Sequence, residues 1–249
     1  MTPQSAIFSS DRARQANAAT IAAAPNQDGV HFLLQKLSGS ARRLRFKSGD
    51  VIAQEGDPQT DIFKLVGGTL RLCRHMPGGK RVVTEFLFAG ALYGLATTER
   101  YPLTLEAVGP ATLIAYSKTQ FERFSEGNAR VRNDLMNHLS NALARTEAHL
   151  FLLASEGAAQ RIASFLLRMR KEHGVAELGL EDGDRLNLPM GRKDMADHLG
   201  LTVETVCRIL TALRRQNLID LHNAHTVLLK DSAGLMALAT GGVGPQNQS

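Results

Sequence analysis

The chain has 249 residues, of which 43% are hydrophobic, so it can bury one or two sizeable cores. The absence of any run of about 18 apolar residues excludes a membrane-spanning helix, and a count of 2 cysteines excludes a disulfide framework. The formal net charge is +5, but residues 158–249 carry 11 basic and 10 acidic side chains, so net charge is weak evidence for nucleic-acid binding. Because no secretory signal is present, we predict a cytoplasmic protein.

The N-terminal part predicts an arm and then a short helix. Residues 1–29 are rich in Ala, Ser, Gln and Asn, which predicts a flexible arm. Residues 30–44 predict a helix that packs on the following segment through Phe32, Leu33, Leu34 and Leu37. It would begin a domain of residues 30–127.

Residues 44–117 alternate short β-rich runs with glycine-containing turns. The runs are VIAQEG at 51–56, DIFKLVGG at 61–68, TLRLCRH at 69–75, RVVTEFLFAG at 81–90, LTLEAV at 103–108 and ATLIAY at 111–116. Strands at this spacing predict a compact β sandwich or barrel. No catalytic set, nucleophile motif or phosphate-binding loop is present, so we predict that the chain is not an enzyme.

Residues 128–153 have a helical pattern with one apolar seam. The seam residues are spaced alternately three and four apart, as in a coiled coil. They are Met136, Leu139, Leu143, Thr146, Leu150 and Leu153. The seam fits either a helix that lies on its own β domain or a homodimer interface. The helix would be long, about 38 Å, which favours a dimerisation helix and hinge over residues 128–157.

Residues 158–239 predict a second domain with a wing. After a hinge of small residues at 155–159, a helix is predicted over 161–173, with an inner face of Ile162, Phe165, Leu166 and Met169. A polar connection at 174–183 leads to a short strand through Leu186, Leu188 and Met190. Residues 218–221 and 226–229 predict a hairpin, and the Gly, Pro and Gln content of 240–249 predicts a flexible tail.

The stretch GRKDMADHLGLTVETVCRILTALRRQ at 191–216 predicts a helix-turn-helix. Apolar residues follow the helical period on both sides of a break at Gly200, where a left-handed C-terminal turn is expected. Thr202 is then a candidate N-cap for the second helix, with Glu204 in its first turn. The alternative is an ordinary helical hairpin with a solvated Glu–Arg pair, which the combination of Ala196, Gly200 and the apolar positions disfavours.

The second helix would bury Val206, Ile209, Leu210 and Leu213 and turn its other side towards DNA. The predicted base-reading residues on that side are Val203, Glu204, Cys207 and Arg208. An arginine can donate two hydrogen bonds to guanine O6 and N7, and a glutamate can accept from cytosine N4. Phosphate contacts are predicted for Arg192, Lys193, Thr202, Thr205, Arg214 and Arg215.

The sequence LGLTVETVCRIL at 199–210 resembles the recognition motif of the Crp/Fnr superfamily of bacterial transcription regulators, and LTVET at 201–205 resembles its Fnr and FixK branches. The resemblance implies an α+β fold with an N-terminal cyclic-nucleotide-binding-like β-roll, a long dimerisation helix and a C-terminal winged helix-turn-helix. It also implies a homodimer that binds double-stranded DNA and RNA polymerase, with Glu204 and Arg208 reading bases. Val203 replaces the Crp-type arginine, which favours a TTGAT-N4-ATCAA-like palindrome.

The turns at Gly49-Asp50, Glu55-Gly56, Gly67-Gly68 and 88–94 are similar to those of the family's sensor β-roll. Members that bind cyclic AMP have a Glu after the last of these glycines and a later Arg-Ser pair; here Leu95 follows Gly94 and no Arg-Ser pair follows Arg100. An iron–sulfur cluster needs about four sulfur ligands. Because the chain has 2 cysteines and lacks the cyclic AMP ligands, the resemblance implies the FixK type, which binds neither cyclic AMP nor an iron–sulfur cluster. A Crp-type regulator gated by another small effector or by haem is the alternative.

Cys207 is a candidate redox switch, because it lies beside Arg208 on the predicted DNA-facing side. Oxidation to a sulfinic or sulfonic acid would add negative charge there; the alternative is a thiol that only touches a thymine methyl group. Cys73 is predicted to be a packed thiol. The histidines form no metal-ligand pattern, so no metal site is predicted. A protein-interaction platform without DNA binding remains a third hypothesis for the function.

Overall fold

The structure is a computed structural model that describes residues 28–95, 98–173 and 185–241. The predicted N-terminal arm up to residue 27, the polar connection from residue 174 and the predicted tail from residue 242 lie outside the described residues. Within the described ranges, no helix combines the length and apolar character needed to cross a membrane.

Within the described residues, the N-terminal domain contains eight strands. They are β1 (Arg42–Phe46), β2 (Val51–Ala53), β3 (Asp61–Gly67), β4 (Leu70–His75), β5 (Arg81–Leu87), β6 (Leu92–Tyr93), β7 (Thr104–Ala107) and β8 (Ala111–Ser117). They pair in two antiparallel four-stranded sheets, with orders β1-β8-β3-β6 and β2-β7-β4-β5. Leu65, Leu105 and Leu113 are buried between the sheets. The predicted β-roll is confirmed.

Two details of this domain differ from the sequence prediction. The first helix, α1, spans Asp28–Lys36 rather than residues 30–44, and Leu44 lies in β1 opposite Leu113. In β1 the apolar Leu44 and Phe46 alternate with arginines, and this period of two is the pattern of a half-buried strand. Strand β6 was not predicted because two residues are too few to show a period.

Three helices follow the β-roll: α2 (Lys118–Ser125), α3 (Ala129–Ser155) and α4 (Ala158–His173). The Asn128 side chain accepts a hydrogen bond from Val131 N–H and begins α3 within one residue of the predicted position. The hinge between α3 and α4 is held by Arg161, whose guanidinium donates to the carbonyls of Leu153 and Glu156. The short helix α2 is an addition to the sequence prediction.

The C-terminal domain contains β9 (Arg185–Asn187), α5 (Arg192–Leu199), α6 (Val203–Arg215), β10 (Ile219–Leu221), β11 (Thr226–Leu229) and α7 (Ser232–Ala239). The three strands form one sheet of order β10-β11-β9, which is the predicted wing. The predicted inner face of α4 is fully buried in this domain. Helix α7, which Asp231 caps, was not predicted.

The two domains share one apolar core. Val83 and Phe86 on the outer face of β5 belong to the same buried cluster as Phe165 of α4 and Leu199 of α5. The rings of Phe86 and Phe165 meet edge to face, with centroids 6.3 Å apart. The helix-turn-helix is thus anchored on the second sheet of the β-roll.

Candidate DNA-binding surface

Helices α5 and α6 form the predicted helix-turn-helix. Gly200 ends α5 with φ of 64°, and the N–H of Leu201 donates to the carbonyl of Ala196 over 3.0 Å. The Thr202 hydroxyl then accepts from the N–H of Thr205 over 3.2 Å and caps α6. The left-handed turn and the N-cap both stand where the sequence predicted them, so the orientation of α6 is set by local chemistry.

The two faces of α6 separate as its residue spacing predicts. Val206, Leu210 and Leu213 are buried and Ile209 is half-buried against the domain core. The opposite side exposes three of the four predicted base-reading residues: Glu204, Cys207 and Arg208. The fourth, Val203, is half-buried and packs against the domain core, so only part of its side chain is available to a base.

Glu204 stands at the positive end of α6 and remains ionised. Its own backbone N–H and the Thr202 hydroxyl hold the pKa of Glu204 below its usual value. The carboxylate is fully exposed, so it carries its charge on the surface that α6 presents. An ionised carboxylate can only accept hydrogen bonds, which suits a cytosine amino group and not a guanine oxygen.

The predicted phosphate-contacting residues surround this surface unevenly. Arg215 and Thr202 are exposed, whereas Arg192 and Thr205 are half-buried. Two of the basic residues form ion pairs with nearby acidic side chains: Lys193 with Asp197 over 3.2 Å and Arg214 with Asp220 over 3.2 Å. The Lys193 and Arg214 side chains are nonetheless 70% and 61% exposed, so both can turn to a phosphate. The Arg192 guanidinium donates to the Met195 sulfur, which ties it to α5.

Replacing Gly200 with alanine should destabilise the protein by about 1 to 2 kcal/mol, because a side chain at left-handed φ clashes with its own backbone. The added Cβ would lie 3.5 Å from the nearest atom of Arg161, so backbone strain accounts for the loss. Urea unfolding measures it. Gly39→Ala is the matched control, since Gly39 has open space and no positive φ. Equal effects of the two substitutions would contradict the left-handed turn.

An ion-pair network fixes α5 on the β-roll. Arg71 of β4 donates to Asp194 over 3.2 Å and Arg81 of β5 bonds to both Asp194 and Asp197, the latter at 2.8 Å. Arg71 also pairs with Glu106 of β7 over 2.6 Å. These side chains are at most 14% exposed. Removing one partner would leave a buried charge uncompensated, so the network makes the position of the helix-turn-helix specific.

A buried histidine adds a second tie between the domains. The His198 ring of α5 donates from Nδ1 to the carbonyl of Val83 over 3.0 Å and accepts at Nε2 from Arg168 over 2.6 Å. It stacks on His149 of α3, with ring centroids 4.2 Å apart. Burial and the Arg168 charge lower the pKa of His198 well below its usual value, and burial lowers that of His149 to about 4.

Acid should therefore loosen the domain contact. Unfolded histidines bind protons near pH 6.5 while these two remain neutral, so the unfolding free energy should fall from pH 6.5 towards pH 4. The expected slope is up to about 1.4 kcal/mol per pH unit for each ring. Urea unfolding between pH 7.5 and 4.5 measures it. His198→Gln should reduce the dependence of the unfolding free energy on pH, whereas the control His222→Gln, at an exposed position, should leave it unchanged. An unchanged pH dependence in both variants would show that the buried histidines do not cause it.

Comparison with known proteins bears out the resemblance of the motif. A Crp-like helix-turn-helix domain matches residues 160–238, and a cyclic nucleotide-binding domain matches residues 43–128. The nitrogen fixation regulation protein FixK of Bradyrhizobium diazoefficiens is 32% identical over 206 residues, which cover 83% of this chain and 85% of that protein. The chain belongs to the FixK branch of the Crp/Fnr family.

Further relatives agree with this assignment. The transcriptional activatory protein AadR of Rhodopseudomonas palustris is 29% identical over 183 residues, covering 72% of this chain and 74% of the relative. The solved structure of FixK2 from Bradyrhizobium japonicum superposes with a TM-score of 0.74 at 27% identity, over 80% of this chain and 96% of that one. The chain is thus a transcription regulator with a helix-turn-helix DNA-binding domain.

The β-roll of this Crp/Fnr protein differs from a cyclic-nucleotide site where the sequence departs from the family pattern. Leu95, at the position of the family's ribose-binding Glu, packs against the cluster beneath α1. Tyr93 stacks on Tyr101 with centroids 5.7 Å apart, and its hydroxyl donates to the carbonyl of Leu103 over 2.7 Å. Arg100 donates to the carbonyl of Gly56 over 2.6 Å.

Sequence reasoning missed the contact between the domains. His149 of α3 stacks on His198 of α5, and no sequence pattern pairs them. Nothing in the spacing of Asp194 and Asp197 identifies their arginine partners. The prediction of no metal-ligand pattern also missed a cluster. The fold brings Cys73, His75 and Glu106 together, although Glu106 is 31 positions from His75 and 33 from Cys73 along the chain.

Proposed function

We propose that this chain is a cofactor-independent transcription activator that binds as a homodimer to palindromes similar to TTGAT-N4-ATCAA. The observation that carries the proposal is the pair of exposed side chains, Glu204 and Arg208, one turn apart on the outer face of a capped helix. Arg208 would donate to guanine O6 and N7, and Glu204 would accept from cytosine N4. Relatives named as transcriptional activators support positive regulation, and an activator bound at such a palindrome would contact RNA polymerase.

Val203 supports the choice of half-site. It stands where Crp has an arginine, and its half-buried apolar side chain has no donor for a guanine. It can touch a thymine methyl group at most. Two chemically specific contacts from Glu204 and Arg208 therefore remain for the G·C pair of a TTGA-type half-site.

Helix α3 supports homodimerisation. Met136, Leu143 and Leu150 are 59%, 59% and 67% exposed, and Leu139 and Thr146 on the same seam are exposed too. Leu153 is half-buried, with its Cδ2 close to Gly200. Phe151, which the predicted seam did not include, is also exposed. A second copy packed along this stripe would place two recognition helices about 34 Å apart, one DNA turn.

A single binding experiment tests the proposal. Fluorescence anisotropy of a labelled TTGAT-N4-ATCAA duplex, titrated with purified protein at several salt concentrations, should show tight binding to one dimer per duplex. Affinity should fall linearly with salt on a double logarithmic plot. A duplex with both TTGAT half-sites scrambled is the control. Equal affinity for the two duplexes, or no binding at low salt, would refute the proposed function.

The absence of a required cofactor has its own test. Protein purified without added effector should bind the palindrome, because Leu95 stands where cyclic-AMP-binding members have a ribose-binding Glu and packs against the apolar cluster beneath α1. Binding that appears only after addition of cyclic AMP or another nucleotide would favour the gated alternative. An absorption spectrum with a Soret band would favour haem.

We also propose that peroxide abolishes DNA binding through Cys207. The thiol is exposed on the same side of α6 as Glu204 and Arg208, so a sulfinic or sulfonic acid there would face bases and phosphates with a negative charge. Treatment with hydrogen peroxide before a gel shift should abolish the complex for the native chain and leave Cys207→Ser unaffected. The control is the untreated pair: without peroxide, the native chain and Cys207→Ser should give the same complex. Equal loss in Cys207→Ser would end the redox hypothesis.

A further inference from the structure

Three potential metal ligands meet where the β-roll contacts the DNA-binding domain. The Cys73 thiol, a ring nitrogen of His75 and a carboxylate oxygen of Glu106 all lie within 4.8 Å of one another. Cys73 and Glu106 are buried, and the His75 side chain is 50% exposed. The cluster is therefore enclosed on the protein side and open towards solvent through one ligand.

The strands explain why these residues converge. Cys73 and His75 are two apart on β4, so their side chains leave the same face of the sheet. Glu106 of the adjacent β7 pairs with Arg71, two residues before Cys73 on that face. Cys73 itself belongs to the apolar core shared with α4 and α5, so the face is the one that the DNA-binding domain covers.

The two oxygens of Glu106 have different partners. Oε2 lies 2.6 Å from Arg71 and 3.8 Å from Arg81, whereas Oε1 lies 3.6 Å from Nε2 of His75. Oε1 is thus turned towards the imidazole while Oε2 is held by the arginines. A cation bound through Oε1 would leave both arginine contacts in place, and those contacts would orient the carboxylate as outer partners orient metal ligands.

The charges of the surrounding network favour an added positive charge. The buried groups are two guanidinium groups, Arg71 and Arg81, and three carboxylates, Glu106, Asp194 and Asp197, which leave one unit of negative charge. A divalent ion that displaces the thiol proton of Cys73 adds one positive charge in total. Occupation would therefore neutralise these buried groups; Lys193, which pairs with Asp197 from outside, is 70% exposed.

We propose that Cys73, His75 and Glu106 form a binding site for one divalent transition-metal ion of the zinc class at the junction of the two domains. Thiolate, imidazole and carboxylate are the ligands that zinc takes, and three protein ligands with an open fourth position form a complete set. The ligand atoms of a tetrahedral zinc ion are about 3.5 Å apart. The three ligand atoms must therefore approach one another by about 1 Å to bind the ion, and the half-exposed His75 side chain can make this movement.

The site in its metal-free form keeps the thiol protonated. Burial and the neighbouring Glu106 raise the pKa of Cys73 to about 12, against the opposing effect of Arg71 and Arg81. The thiol then serves as a hydrogen-bond donor to Glu106. The bound ion would replace this proton, and one proton per ion would be released to solvent.

Cobalt(II) titration of the full chain, purified in the presence of a chelator and then freed of it, tests the site. One equivalent should produce a thiolate-to-cobalt charge-transfer band in the near ultraviolet, and zinc should remove it by displacement. Cys73→Ser should abolish the band, and His75→Gln should weaken cobalt binding by at least about 100-fold. The two matched controls, Cys207→Ser and His222→Gln, should retain both band and affinity.

Thermal unfolding gives a readout that does not depend on the band. Zinc at about 100 times its Kd should raise the Tm of the native chain by about 5 to 10 °C, whereas the Tm of His75→Gln should rise by at most about 2 °C at the same zinc concentration. Because His75 is half-exposed, this variant tests the site even if Cys73→Ser fails to fold. No band with the native chain, or a band that Cys207→Ser removes, would overturn the proposal. Neither result bears on binding to TTGAT-N4-ATCAA.

Discussion

Arg208→Ala should lower the affinity for the palindrome by about 5- to 150-fold for each half-site, as expected for the loss of a bidentate contact worth about 1 to 3 kcal/mol. Arg208 is exposed on α6 and lies one turn from Glu204. In the major groove, O6 and N7 of the guanine would then accept hydrogen bonds from water in place of the guanidinium. Anisotropy titrations of the native and variant proteins on the same duplex measure the loss.

The pattern across sequences distinguishes base reading from a general effect of charge. In the native chain, replacing the guanine of each half-site should weaken binding strongly, and in Arg208→Ala the same replacement should make little further difference. Arg214→Ala is the matched control, because it removes the same charge from the exposed C-terminal end of α6. It should weaken all duplexes similarly and reduce the salt slope by about one per subunit. If Arg208→Ala behaves in that way too, Arg208 contacts phosphate and not guanine.

Local signals in the sequence were enough to place the recognition helix. Gly200 ends one helix and Thr202 caps the next, and the structure has both features at the predicted residues. The apolar period of α6 likewise separates buried Val206 from exposed Cys207. Such signals act within a few residues of one another, so sequence spacing contains the information that is needed to read them.

The contact between the domains could not be read in this way. Asp194 and Arg81 are 113 positions apart, and His198 and Val83 are 115 apart. On the sequence alone, each of these residues looks like an ordinary surface charge or a solitary histidine. These residues pair only because α4 and α5 pack on the outer face of β5. The shared apolar core around Phe86 and Phe165 determines that packing. Apolar packing of that kind has no sequence period.

Leu143→Glu should convert the protein to a monomer and remove cooperative binding to the full palindrome. Leu143 lies at the middle of the seam and is 59% exposed in the single chain. On dimer formation the exposed part of its side chain and that of its symmetry mate would lose contact with water, which stabilises a dimer by about 2 to 3.5 kcal/mol for the two leucines together. Two carboxylates at the same place would repel each other and lose hydration.

Sedimentation equilibrium of the variant and the native chain measures the change directly. Asn141→Glu is the matched control, because it adds the same charge two positions away, on an exposed side of α3 that lies off the predicted seam. It should remain dimeric and bind DNA as the native chain does. A monomer can engage one half-site, so Leu143→Glu should bind a duplex with one TTGAT as well as it binds the palindrome. If Leu143→Glu remains dimeric, the subunits contact each other through some other surface, and the apolar stripe of α3 has no role in assembly.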